Sequence, residues 1–251
     1  MTKTVVVTGG GAGIGREIAL AFAADGWHVH ICGRRIDALE AVAAEADNIT
    51  YSKCDITDPE QVRAMFEDAQ VATGTIDVAV LNAGLPGTPA EFGETDIEDF
   101  RAVIDTNVVG SYLCAREAFA RMKAGRKGKT DQAGGRILVN CSIAAQVPRA
   151  HTAAYATSKS ALAGMTHVLA LDGREYGITA TRIDIGNAQT DLLGTFTGSE
   201  PMFDAKQAAE TFLYAANLPA SAVIDQLTIT AAGMPFLVGV SLPLKLEHNW
   251  V

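Results

Sequence analysis

The sequence predicts an α/β fold: a doubly wound parallel β-sheet of about seven strands, helices on both faces, and residues 1–251 in a single domain. Three observations predict it. Short β-branched runs alternate with longer stretches of helical period along the chain, the pattern of a parallel sheet with crossover helices. A glycine-rich turn follows the first run and opens the first helix. No internal repeat or low-complexity linker divides the chain, and 48% hydrophobic against 20% charged residues suits a large core.

The elements follow in order. TVVVT (4–8) reads as the first strand and Ile14 to Ala24 as the first helix. HVHIC (28–32) is the second strand, an Ala-rich helix covers roughly 36–46, and ITYSKC (49–54) is the third strand. Helix spacing returns after Pro59, a favourable first-turn residue. DVAVL (77–81) and RILVN (136–140) are the fourth and fifth strands, separated by one long helix pattern over about 98–123. The polar stretch AGRKGKTDQAGG (124–135) reads as an exposed loop. A helix over 152–176 leads into ITATRID (178–184), and 205–217 is helical before QLTIT (226–230) closes the sheet.

A net charge of -9 argues against broad nucleic-acid or anionic-membrane binding. The N-terminal apolar run is three valines before a glycine turn, too short for the h-region of a secretion signal. No stretch approaches the roughly 18 apolar residues of a membrane span. The expectation is a cytoplasmic protein acting on a small molecule. Cys32, Cys54, Cys114 and Cys141 lie far apart without a CxxC pair and read as reduced core thiols. His28 and His30 alternate along a strand, but no further ligands lie near them in sequence, so no metal is expected.

Chemistry concentrates at a few places. TGGGAGIG (8–15) sits between the first strand and first helix, where glycines turn tightly and let backbone N–H groups approach a pyrophosphate at the helix N-terminus. Gly9, Gly13 and Gly15 give Gly-x-x-x-Gly-x-Gly, and no Gly-Lys-Ser or Gly-Lys-Thr follows to make a nucleoside-triphosphate loop. After the second strand, where a carboxylate often holds the ribose 2′-hydroxyl, the chain reads CGRR with Arg34 and Arg35. Guanidinium forks suit a 2′-phosphate; the bland alternative is two arginines facing water. YATSK places Tyr155 one helical turn before Lys159, on a shared face. A phenol is a poor acid at neutral pH, but a cation about 4 Å away contributes roughly 4 kcal/mol toward the phenolate at an effective dielectric of about 20. Taken alone, such a pair is more often an accident of a polar helix surface.

Read together, TGGGAGIG, LNAG (81–84), Asn107 in DTNVVG, Ser142 in VNCSIA and YATSK resemble the classical short-chain dehydrogenases/reductases (SDR), over about residues 3–232 and in the family's order. Ser142 precedes Tyr155 by thirteen residues, as is usual there. The resemblance implies a Rossmann-type sheet and a tetrad. Tyr155 would exchange the proton with the substrate oxygen, Lys159 would tune the phenol and hold the nicotinamide ribose, Ser142 would orient the substrate, and Asn107 would bend its helix and hold a water linking Lys159 to solvent. It further implies that Gly9, Ala12, Ile14 and Gly15 form the pyrophosphate turn and that Asp55 and Ile56 contact adenine. Asn82, Ala83 and Gly84 would line the adenine ribose side, and Ala188 and Thr190 would face the nicotinamide. With the arginines, the cofactor implied is NADP(H) in preference to NAD(H).

Three features depart from the family pattern. Ala12 stands where NADP-dependent members are often basic, Ile185 replaces the proline that usually precedes Gly186, and the apolar tail VGVSLPLKLEHNWV (238–251) lacks the usual glycine-rich ending. The segment DLLGTFTGSEPMFD (191–204) mixes apolar and flexible residues as a substrate lid would, or is a surface loop without a role. Gln146, His151 and Asn187 are polar candidates for substrate contacts. The expected activity is interconversion of a small or medium carbonyl compound and its secondary alcohol by a homotetramer or homodimer. The competing expectation is a non-catalytic dinucleotide-binding sensor or scaffold. A serine hydrolase built on Ser142 lacks the Gly-x-Ser-x-Gly elbow.

Overall fold

The first strand, β1 (Thr4–Thr8), is buried at every position, and its three valines divide between two cores by strand alternation. Val5 and Val7 pack with Ile18, Phe22 and Phe212 on one face of the sheet; Val6 packs with Phe66, Cys114 and Ile137 on the other. A strand covered on both sides reads as a continuous apolar run, which is why TVVVT carries no polar alternation. The protein is seen here as a computed structural model that describes residues 2–125, 134–190 and 200–234.

After β1 come α1 (Gly13–Ala24), β2 (His28–Gly33), α2 (Ile36–Ala43), β3 (Ile49–Lys53), α3 (Pro59–Gln70) and β4 (Val78–Leu81). They are followed by α4 (Ile97–Ile104), α5 (Ser111–Gly125), β5 (Gly135–Ser142), α6 (Ala153–Gly173) and β6 (Ile178–Ile185). Two short strands, β7 (Ala188–Gln189) and β8 (Phe203–Asp204), pair with each other before α7 (Ala205–Ala216) and β9 (Gln226–Ile229). The seven-stranded sheet runs β3-β2-β1-β4-β5-β6-β9, parallel throughout. The order reverses between β1 and β4, and a crevice opens at the strands' carboxyl ends at such a switch point.

The helix expected over 98–123 is not continuous. Between α4 and α5, Asp105–Gly110 widens into a π-helical turn. Asn107, fully buried there, accepts from Leu85 N at 2.7 Å and donates to Leu85 O and Ser158 Oγ, both at 2.9 Å. A Cβ on Gly110 would lie 2.7 Å from Ile56 Cδ1, so a larger residue in the wide turn would have to displace the Ile56 side chain. The four cysteines are buried free thiols. His30 Nδ1 lies 2.9 Å from Thr50 Oγ1 and its Nε2 3.0 Å from Ser52 Oγ, so both ring nitrogens meet hydroxyls of β3. Residues 191–199 of the expected lid, 126–133 of the expected loop and the tail 238–251 lie outside the described residues. No helix among the described residues is long and apolar enough to cross a membrane.

Candidate active site

A cleft of about 840 Å³ opens at the carboxyl ends of the strands. Its walls collect the β1–α1 turn, the end of β2, the residues after β3 and β4, the end of β5, α6, and the stretch after β6.

At one end stands the glycine turn. Gly9 and Gly13 have φ of +67° and +53°, and a Cβ on Gly15 would meet Gly9 O at 2.2 Å. Ala12 precedes α1 without a side-chain cap, and the first turn carries no acidic residue. The leading amides of α1 thus lack a side-chain acceptor and border the cleft with the helix dipole's positive end, the setting that receives a phosphate. Those glycines, the uncapped helix and an open path between them fit a dinucleotide pyrophosphate. Arg34 and Arg35 line the same end, both exposed, and their side chains make no hydrogen bond or ion pair with the described residues. Asp55 and Ile56 line it too. Asp55 Oδ1 accepts from Thr57 N at 3.0 Å and Thr57 Oγ1 at 2.8 Å; these bonds, with a smaller contribution from Arg34, hold its carboxyl below the usual range.

Across the middle runs a chain of hydrogen bonds. Lys159, only 5% exposed, donates from Nζ to Asn140 O at 2.9 Å. Asn140 Nδ2 donates to Asn82 Oδ1 at 2.7 Å, and Asn82 Nδ2 to Thr8 O at 2.8 Å. Thr8 Oγ1 accepts from Asn82 N and Ala83 N at 2.9 and 3.0 Å. These bonds tie the ends of β1, β4 and β5 together beneath Lys159. Neither Thr8 nor Asn140 was singled out in the sequence; the signal was a polar residue ending each of two apolar runs.

Tyr155 and Lys159 share the cleft-facing side of α6, with Nζ 5.6 Å from the phenol ring centroid. Ser158 Oγ donates to Tyr155 O at 2.7 Å while accepting from Asn107, so the π-helical turn braces the tyrosine's turn of α6. Ser142 ends β5, 8% exposed, lining the cleft with its Oγ accepting from Ala144 N at 3.1 Å. Burial pushes the neighbouring Cys141 thiol up to about 11, which leaves it protonated and unreactive near neutral pH.

Most residues singled out in the sequence line this cleft: Gly9, Ala12, Gly13, Ile14, Gly15, Arg34, Arg35, Asp55, Ile56, Asn82, Ala83, Gly84, Ser142, Tyr155, Lys159, Asn187, Ala188 and Thr190. Three do not. The side chain of Asn107 is spent on Leu85 and Ser158, so a water would need its remaining lone pair or its main-chain carbonyl. Gln146 does not line the cleft, and its Nε2 donates to the buried Asp184 at 2.6 Å. His151 is exposed, at φ +65°, a left-handed conformation that costs a non-glycine residue about 1 kcal/mol. At Gly186, where the preceding proline is missing, N–H donates to Ile229 O at 2.8 Å and holds the stretch against β9.

A sequence model described as short chain dehydrogenase matches residues 3–200. The chain belongs to the short-chain dehydrogenase family. A 2,5-dichloro-2,5-cyclohexadiene-1,4-diol dehydrogenase of Sphingobium indicum is 34% identical over 76% of this chain and 74% of its own length. An L-fucose dehydrogenase of Bos taurus is 31% identical over 79% and 71%. Among solved structures, a 3-ketoacyl-(acyl-carrier-protein) reductase from Brucella melitensis complexed with NADH superposes with a TM-score of 0.83 at 28% identity, covering 91% of this chain and 96% of that one. The short-chain dehydrogenase family is one of oxidoreductases that bind a nicotinamide dinucleotide, and the sheet described above is its Rossmann-type sheet.

Proposed function

We propose that this short-chain dehydrogenase interconverts a small or medium carbonyl compound and its secondary alcohol with NADP(H), using Tyr155 as general acid and base. The observation that carries the reading is the meeting of Ser142, Tyr155 and Lys159 in one cleft, with the Lys159 ammonium 5.6 Å from the Tyr155 ring. When bound, the nicotinamide supplies a hydride to the carbonyl carbon, or takes one from the alcohol. Ser142 Oγ and the Tyr155 hydroxyl both donate toward the substrate oxygen in the reducing direction. As charge develops on that oxygen, Tyr155 transfers its proton, and the Lys159 cation stabilises the phenolate left behind. Reduction consumes one proton and one hydride, and oxidation releases both. Asn140 O holds Lys159 Nζ at 2.9 Å and so fixes where that cation sits.

The preference for NADP(H) rests on Arg34 and Arg35, two cations bordering the cleft without a hydrogen-bonded carboxylate partner among the described residues. The shared sheet supports reading 1–251 as one domain, and four buried free thiols fit a reducing cytoplasm. Assembly is read as a homodimer or homotetramer through α4, α5 and α6. A sensor or scaffold reading is disfavoured by a cleft that retains a phenol, a hydroxyl and an ammonium together. The test is a panel of carbonyl compounds and alcohols followed by nicotinamide absorbance. Turnover with NADPH and a carbonyl supports the reading, while tight NADPH binding with no turnover across the panel favours the sensor.

A further inference from the structure

Beyond Tyr155 and Lys159, the cleft wall holds a third charged group close in sequence to the chemistry. Arg149 lines the cleft from the turn joining the strand of Ser142 to the helix of Tyr155. Its Nη2 donates to Asn187 Oδ1 at 3.1 Å and forms an ion pair with Glu200. Asn187 Nδ2 donates to the same Glu200 oxygen at 2.6 Å. Glu200 stands behind: its side chain is 12% exposed against 32% for Arg149, and it does not line the cleft. A carboxylate behind and an amide beside a guanidinium fix the plane of its fork, which lowers the entropy lost on receiving a ligand.

The turn is held as firmly as the side chain. Thr152 Oγ1 donates to Arg149 O at 2.7 Å, and Ala90 N donates to His151 O at 3.1 Å. His151 adopts its left-handed φ within this turn. Strain of that kind persists where the surroundings over-determine it and collects at ligand-binding positions. The sign of the wall agrees. Among the described residues lining the cleft, the cations are Arg34, Arg35, Arg149 and Lys159, and the one carboxylate is Asp55, on the Arg34 side. Even with Glu200 set behind Arg149, the cations at this wall outnumber the carboxylates four to two, in a chain of net charge -9.

We propose that Arg149 recognises a carboxylate on the substrate, so that the substrates are oxo acids and the matching hydroxy acids. The inference rests on the reading of Ser142 and Tyr155 as the reacting end of the cleft. With the oxo group held there, the turn at 149–152 faces the far end of the molecule, and the spacer between oxo group and carboxylate sets which acid fits.

A series of 2- to 6-oxo acids and their methyl esters tests it, read in two ways: NADPH oxidation, and ligand affinity for the NADPH-loaded protein by nicotinamide fluorescence. At least one acid should exceed its ester tenfold or more in kcat/KM and in affinity. Arg149→Gln should raise KM for that acid ten- to a hundredfold more than for its ester, the range of a lost charge-assisted hydrogen bond. Arg149→Lys, which keeps the charge and leaves Glu200 a partner, should retain part of the preference and guards against a folding defect in the glutamine variant. Esters turned over as well as acids, with both variants indifferent to the difference, would overturn the carboxylate while leaving the oxidoreductase intact. Arg149-dependent binding of an acid without turnover would uphold it and overturn the catalytic reading instead.

Discussion

At Tyr155 and Lys159 the question is what one oxygen and one ammonium contribute. Tyr155→Phe removes the proton donor and keeps the ring, so turnover should fall by about three or more orders of magnitude, at the upper end of general acid–base contributions. NADPH affinity and melting temperature should stay near wild type, and stopped-time assays with fluorescence titration check both. Lys159→Ala should damage turnover and cofactor affinity together, since its ammonium sits between the phenol and the Asn140 carbonyl. A tyrosine variant retaining most of its rate would remove the acid–base assignment. Arg34 is the residue at which the proposed cofactor preference is tested. A charge-assisted hydrogen bond to a 2′-phosphate contributes roughly 1.5–3 kcal/mol, and Ala12 adds no second cation, so the preference for NADP over NAD should lie near the lower end, about tenfold. Arg34→Asp should invert it by repelling the phosphate and accepting from the ribose hydroxyls. Comparing kcat/KM with both cofactors in wild type and variant decides it, and an NAD preference in the wild type would mean that the arginines serve solvent.

At the scale of elements, β2 and β3 carry a pH-sensitive joint. His30, 2% exposed, sits between Thr50 and Ser52, and burial lowers its value to about 4, only partly offset by Asp68. The unfolded chain binds the proton near pH 6.5, whereas the folded one resists it down to about 4. This histidine's contribution is therefore complete above about pH 6.5 and is lost as pH falls toward 4, at most about 3 kcal/mol. His30→Gln can still meet a hydroxyl and does not titrate, so its urea midpoint should fall less between pH 7.5 and 4.5 than the wild type's. Equal slopes would place the acid sensitivity elsewhere. The same elements show what the sequence made legible. Strand runs and helix periods gave the sheet and its boundaries to within about three residues, because β1, β4 and β5 are buried on both faces and read as apolar runs, while the exposed edge strands β3 and β9 still carry β-branched residues between turns. Periodicity ran straight through the π-helical turn at Asp105–Gly110, and only the family resemblance implied a bend at Asn107, because the cause is tertiary: Asn107 bonds to Leu85 and Ser158, far away in the chain. Gln146 was polar and near Ser142, yet its partner Asp184 lies on a strand that local sequence does not bring to mind. Arg149 escaped for a related reason: Asn187 and Glu200 reach it only through the fold.

For the whole molecule, the unanswered surface is the outer face of α4, α5 and α6. On α6, Ala161, Gly164, Val168 and Leu171 are all exposed and recur at spacings of three, four and three, which places them in one stripe along the helix. A Cβ on Gly164 would meet nothing within 4 Å, so its missing side chain answers no neighbour inside the chain. Ile97, Val109 and Tyr112 are likewise exposed large apolar residues, on α4, the π-helical turn and α5. Small residues in a stripe let two helices approach closely, and large apolar residues flanking them supply the area buried on contact. Exposed apolar residues of this kind on a protein of net charge -9 are the ground for the proposed interface between copies. Two-fold pairing of the face with itself forms a closed dimer, and a second such axis makes a tetramer. Light scattering at micromolar concentration should therefore give a mass of two or four times the 26.3 kDa protomer. Val168→Glu, which brings two like charges together across the two-fold axis, should shift the mass toward the protomer without unfolding it, since Val168 is 57% exposed. A wild type that ran only at 26.3 kDa would show that the stripe on α6 has no partner copy.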